Sequence, residues 1–244
     1  SLMQLKLYDY GYDKSYLDET KYNNIVEQGI VDAYELYDMK LNLQTFVWEV
    51  EIPGDLSGKY YTYRVINTAG TNDVVDPYAQ SAGIDGSRGM IVDFDSEEAK
   101  PSNWDDLPLK WDGVEDLDIT TPQELVVSEI HIRDLTMSDT WNGPKEKQGL
   151  FTGFIEEGTT YNGVKTGYDH LVEYGVNALQ LLPIFDQDNA ERARKEVVYN
   201  EGSENEKVAQ VVDYDTLGDF NWGYNPLNYN ALEGSYSSNP YEGS

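Results

Sequence analysis

Cysteine is absent from this chain of 244 residues, and histidine occurs only at His131 and His170. Without a thiol there is no disulfide, no thiolate metal site and no cysteine nucleophile. Two histidines leave little support for a Ser-His-Asp arrangement or a histidine-based zinc centre. Basic residues are scarce as well: 17 Lys and Arg stand against 45 Asp and Glu, a formal net charge of −28. Such an acidic surface repels nucleic acid and anionic membranes while staying indifferent to a neutral polysaccharide. No apolar run approaches the ~20 residues of a membrane span.

What is present is the composition of a folded protein. Apolar residues make up 39% of the chain and Gly and Pro are ordinary in number, so the length permits one domain or two. The most unusual stretch lies at the C-terminal end, GDFNWGYNPLNYNALEGSYSSNPYEGS from Gly218 to Ser244. Trp222, Tyr224, Tyr229, Tyr236 and Tyr241 sit there among asparagines, glycines and prolines, which excludes a helix or a buried strand. Gly223, Pro226, Gly234 and Pro240 punctuate it as an ordered loop. Rings stack on the apolar faces of a pyranose, and Asn and Tyr groups bond its hydroxyls. From composition alone, a sugar-binding loop and an aromatic-rich surface loop fit equally.

Toward the N-terminus the pattern has period two. Leu5 and Leu7 share a face of a strand over Met3–Tyr8. Phe46, Trp48, Val50 and Ile52 alternate in a second strand, with Trp48 expected in the core. A turn from Pro53-Gly54-Asp55 to Gly58 leads into Tyr61, Tyr63 and Val65, so the two strands read as a hairpin. Another strand is expected over Met90–Phe94. These spacings predict a β-sandwich, with about five strands legible where such sandwiches carry ~7. Asp95 to Gln123 has three prolines and no period, as a linker does.

Beyond it, LVVSEIHI (Leu125–Ile132) is nearly continuous apolar and β-branched, like a parallel strand buried on both faces. His131, Glu129 and Arg133 are expected to form a buried polar set satisfying one another. Thr166 and Asp169 have the spacing of a capping box, Tyr168, Leu171 and Val172 follow at helical spacing, and Gly175 supplies the stop. Val176–Leu182 is a second strand, so the segment is a βαβ unit with parallel strands. After Asp186, the arms Glu196–Tyr199 and Val208–Val212 flank a polar tip as a hairpin. Asp186, Asp188 and Asn189 offer oxygen ligands for calcium, but without a full loop pattern a solvated turn is the expectation; no cofactor is assigned.

NWGYNPLNYNALEGSYSSNPY resembles the NWGYDPxxYxxPEGSYSxxPY signature of type I pullulanases, debranching members of the α-amylase superfamily. Phe220 stands where Tyr is usual, Asn225 where Asp is usual and Leu232 where Pro is usual. Two more stretches carry the resemblance. GVKTGYDHLVEYGVNALQLLPIFD is similar to the pullulanase GVKTGLDHLKELGVTHVQLLPVFDF, and GKYYTYRV…VVDPYAQSAGIDGSRGMIVDF resembles the carbohydrate-binding module that precedes the barrel. The resemblance implies a β-sandwich module of the starch- and glycogen-associated kind over residues 1–95, incomplete at its start, and a linker over 96–123. The opening βαβ part of a (β/α)8 catalytic barrel would span 124–244. It also implies substrate-binding roles for Asn221, Trp222 and Tyr224, the last stacking on the glucose before the scissile bond. The partner would be an α-glucan: pullulan, starch or glycogen.

A retaining glycosidase needs two carboxyl groups about 5 Å apart. In the superfamily these lie near Asn-His and His-Asp pairs, and neither pair occurs here. Leu125 to Ser244 is also about half of the ~250 residues a barrel takes. The catalytic carboxylates are therefore expected beyond residue 244, no acid in the chain is nominated as catalytic, and the chain alone is expected to be inactive. A non-catalytic glucan-binding protein and an isoamylase or branching enzyme are the alternatives.

Overall fold

A computed structural model of the chain describes residues 1–13, 30–97, 99–100, 121–188, 198–199, 209–210 and 222–239. The chain falls into two compact units. One comprises Ser1–Ile91, Phe185–Ser235 and Asn239–Ser244; the other comprises Val92–Ile184 and Tyr236–Ser238.

The first unit opens with seven strands: β1 (Leu2–Tyr8), β2 (Glu35–Asp38), β3 (Lys40–Leu41), β4 (Trp48–Glu49), β5 (Tyr60–Asn67), β6 (Gly70–Val74) and β7 (Gly89–Met90). Their larger sheet runs β2-β1-β5-β6, with β7 also on β5, and every pairing is antiparallel. The hairpin expected between the Trp48 and Tyr61 stretches does not form. Leu41 pairs with Trp48 instead, because the Asn42 turn closes locally: Phe46 N–H donates to Asn42 O at 2.8 Å and Asn42 N–H to Val47 O at 2.8 Å. β5 takes β1 as its partner along seven residue pairs from Leu2↔Ile66 to Tyr8↔Tyr60. Trp48, off that ladder, is half-buried and not core.

Leu5, Leu7, Tyr8 and Tyr60 are buried in this sheet, and two of the scarce cations are buried with them. Lys6 Nζ lies 2.9 Å from Asp73 and 3.8 Å from the centre of the Tyr34 ring. Arg88 Nη1 donates to the carbonyls of Tyr10, Tyr12 and Val31 at 2.6, 2.9 and 3.0 Å, and its guanidinium lies 3.8 Å from the Tyr8 ring centre. One end of the guanidinium thus gathers three carbonyls while its flat face covers a ring, a combination open to a planar, weakly hydrated cation. These cations organise the module's interior.

The second unit contains β8 (Val127–Ile130), α1 (Asp134–Met137), α2 (Phe151–Phe154), β9 (Thr160–Tyr161), β10 (Val164–Lys165), α3 (Gly167–Tyr174) and β11 (Ala178–Leu181). β8 and β11 pair in parallel from Val127↔Ala178 to Ile130↔Leu181, so the βαβ unit forms as expected. Asn162 and Gly163 both take positive φ (51° and 81°) between β9 and β10, the two-residue turn that suits strand twist. Gly175 ends α3 in the left-handed region (φ 82°), and its N–H meets the carbonyls of Leu171 and Val172. The capping box does not form. Thr166 Oγ1 donates to Trp141 O at 2.7 Å, and the Asp169 carboxylate accepts from the Gly158 N–H. Nor is the parallel pair buried on both faces: Val127 on β8 is 56% and Leu179 on β11 45% exposed. Two strands and three short helices cover only one end, where Ile130, Ile132, Phe154 and Tyr236 pack with Leu135, Phe151, Leu171 and Ile184.

Four more strands belong to the first unit. β12 (Phe185–Gln187) pairs antiparallel with β15 (Pro226–Leu232), and β13 (Val198–Tyr199) with β14 (Ala209–Gln210). The last pair supplies the arms of the expected hairpin, whose tip lies outside the described residues. β15 corrects the expectation of a loop after Gly223. Its small and polar residues Asn228 and Ala231 are the buried ones, and Pro226, which cannot donate to a ladder, stands at the strand's first position.

Candidate functional site

The site grows from Gly223. Its φ of 86° lies in the left-handed region that glycine enters without steric cost, and its N–H donates to Gln187 Oε1 at 2.7 Å. On either side of that turn stand Trp222 and Tyr224, 62% and 55% exposed, their ring centroids 5.3 Å apart and their planes at 56°. Two of the three binding residues expected from sequence are thus side by side in solvent. Asn221, the third, lies outside the described residues. Tyr229 on β15 and Phe185 on β12 make a second exposed pair, with centroids 5.9 Å apart, which needed the strand pairing to be seen.

Next to this turn, hydrogen bonds tie β12 to the residues around β15. Glu233 is fully buried and accepts the N–H groups of Gln187 (2.9 Å, Oε2) and Ser235 (3.0 Å, Oε1). Asn225 accepts the Asp188 N–H at 3.0 Å and donates its Nδ2 to the Asp188 carboxylate at 3.4 Å. An Asp at 225 would set carboxylate against carboxylate, so the amide suits its neighbour here.

Asp186 is not part of a solvated turn. It is 1% exposed, with Oδ2 accepting Asn228 Nδ2 at 2.6 Å, and the same Nδ2 lies 3.3 Å from Gly86 O. A Cβ at Gly86, whose φ is 60°, would stand 2.1 Å from the Asp186 carboxylate, so glycine is required for this approach. Burial pushes the Asp186 carboxyl up to about 7; the Asn228 hydrogen bond opposes this, and the charges of Glu233 and Asp85 add to it. Asp188 is exposed and Asn189 lies outside the described residues. Among the described residues no group of three or more His, Cys, Asp or Glu side chains is arranged to hold a metal ion.

In the second unit His131 is buried, as expected, but its partners differ from those read in the sequence. Nδ1 accepts the N–H groups of Arg133 and Asp134 (3.1 and 3.3 Å), and Nε2 lies 3.0 Å from the Tyr236 hydroxyl. Glu129 is exposed on β8 and takes no part in a buried set.

An exposed pair of rings on a hydrogen-bonded turn suits stacking against the face of a sugar. Comparison with known proteins places the chain in a family. Residues 28–79 match the model for carbohydrate-binding module 48 (isoamylase N-terminal domain). The pullulanase of Bacillus subtilis (strain 168) is 30% identical over 201 residues, covering 82% of this chain. This chain is a type I pullulanase-like N-terminal region of glycoside hydrolase family 13. Chloroplastic pullulanase 1 of Arabidopsis thaliana is likewise 30% identical, over 80% of the pullulanase-like chain. The crystal structure of the Paenibacillus barengoltzii pullulanase, complexed with maltohexaose and α-cyclodextrin, superposes with a TM-score of 0.71 at 30% identity. That match covers 99% of the pullulanase-like chain and 30% of the solved one. The chain spans 23% of the Bacillus and 21% of the Arabidopsis protein. The family is that of debranching glycoside hydrolases, and the matched residues 28–79 belong to a module 48 sandwich-like domain.

Proposed function

We propose that the chain is the glucan-handling part of an enzyme that hydrolyses α-1,6-glucosidic bonds in pullulan, branched starch or glycogen with retention, its two carboxylates lying outside this chain. Residues 1–95 are the α-glucan-binding module, 96–123 the linker, and 124–244 the opening of a (β/α)8 barrel. The single observation that carries this is the exposed Trp222–Tyr224 pair held on the Gly223 turn. In a barrel of this kind the active site is built from loops after the strands, and this turn follows β11 and β12 along the chain. Tyr224 is the stacking platform for the glucose before the scissile bond, and Asn221 and Trp222 shape the neighbouring subsite. An α-1,6 linkage has an extra rotatable bond, so fixing that glucose favours the attack geometry.

The experiment is to assay the full-length protein that carries this chain on pullulan and on amylose, with Tyr224 intact and as Ala. Pullulan should be cleaved and amylose spared. Tyr224→Ala should cost about ten- to a hundredfold in kcat/KM, with part of the loss in kcat. Amylose cleaved as fast as pullulan, or an unchanged variant, would overturn the proposal. The module's match to the isoamylase N-terminal domain favours a second reading, an isoamylase-type enzyme. Amylopectin cleaved with pullulan left intact would establish it.

A further inference from the structure

We infer that Gln187 is a positioning residue for the Trp222–Tyr224 pair, acting through the backbone of Gly223. This deepens the glucan-binding role proposed above and rests on it. Gln187 is 1% exposed, a burial that favours an apolar side chain over an amide. Its Oε1 accepts the Gly223 N–H at 2.7 Å, which fixes the orientation of the amide, since a rotated group would oppose N–H to N–H. The other end, Nε2, is buried with no hydrogen-bond partner among the described residues. A buried donor left unmet is costly, and a methionine or leucine would fill the same volume without that cost. What the amide alone supplies is an acceptor for the residue that joins the two exposed rings.

The rest of the local structure holds Gln187 still. Its backbone N–H is bound by Glu233, which is fully buried and also takes the Ser235 N–H, and β12 pairs it with Pro226. A line of contacts therefore runs from Ser235 through Glu233 and Gln187 to Gly223. Only the last of these contacts depends on the Gln187 side chain. Without it, the two rings would keep their exposure and lose their fixed setting, so a ligand would have to order the turn as it binds. Gln187 has no exposed atom with which to touch a sugar; its influence on binding passes through Gly223.

The test is a double-mutant cycle in the full-length protein, read as kcat/KM on pullulan. Gln187→Met, close in volume and lacking the acceptor, is expected to lose about tenfold. Combined with Tyr224→Ala, it should add less than about twofold to the loss of Tyr224→Ala alone, since residues acting through one element are not additive. Gln187→Glu keeps an oxygen at the acceptor position but buries a further carboxyl beside Asp186 and Glu233, so it should outperform Gln187→Met only as falling pH protonates it. Losses that multiply, an unchanged Gln187→Met, or Met and Glu variants with the same loss at every pH would show that the side chain merely fills space. An unchanged Tyr224→Ala would instead remove the glucan-binding role, and this inference with it.

Discussion

The Tyr236 hydroxyl lies 3.0 Å from Nε2 of His131, and both groups are buried. Because His131 Nδ1 already accepts two backbone N–H groups, the proton sits on Nε2, and it is the imidazole that donates to the tyrosine oxygen. Tyr236→Phe leaves that N–H buried and unmet, so the second unit should lose about 1–3 kcal/mol in urea unfolding. A variant within a few tenths of a kcal/mol of the parent would show that the contact is not structural.

Asp186 makes stability depend on pH. Its carboxyl stands at about 7 in the folded chain against an ordinary value of 3.8. A carboxyl raised in this way favours the fold while protonated. Its contribution is full below the ordinary value and is lost as pH rises through about 7. From pH 5 to pH 8 the parent should therefore lose about 2–3 kcal/mol relative to Asp186→Asn, which keeps an acceptor for Asn228 and does not titrate. Urea titrations of both proteins across that range check it, and a constant difference would refute it.

Arg88 should be irreplaceable by lysine. Lysine has the shorter reach and a compact, strongly hydrated head, so it cannot both bring a nitrogen to the three carbonyls met by Nη1 and lay a flat cation on the Tyr8 ring. Arg88→Lys is expected to cost about 2 kcal/mol and Arg88→Met more, because buried carbonyls lose their donors. Thermal melts of the module region measure this, and a Lys variant with parental stability would count against it.

Hydrogen exchange should divide the parallel pair from the module sheet. Among the described residues β8 and β11 have one partner each and carry exposed Val127 and Leu179, whereas β5 is paired along both edges. Protection in this chain is expected to be lower over Val127–Ile130 and Ala178–Leu181 than over Tyr60–Asn67, since local opening follows contact and burial. Equal protection in the monomer would overturn the expectation.

Local chemistry was legible in the sequence, and distant partnership was not. Gly175 announced the end of α3 because a left-handed stop is a property of one residue. The strand around Trp48 was legible as a strand, yet its partner was set by how well the Asn42 turn closes, which alternation does not encode. Thr166 has the spacing of a cap, but its hydroxyl reaches the Trp141 carbonyl, 25 residues earlier. Trp222 and Tyr224 stood out by composition and wording. Gln187, Glu233 and Asn228, which hold and flank their turn, did not, because burial and pairing across β12 and β15 give these polar residues their role.

β5 lies between β1 and β6 in the larger sheet, and that placement matters while the chain is being made. β6 follows β5 through a tight turn and can pair with it at once. β1 leaves the ribosome long before β5 does: β2 can cover one of its edges early, at Leu5↔Tyr37 and Leu7↔Glu35, but the other edge has no ladder until Tyr61 and Tyr63 emerge. At ordinary synthesis rates that interval is roughly 3–12 seconds. During it, Leu2–Tyr8 keeps its β5 edge open, the condition in which chaperones capture nascent chains.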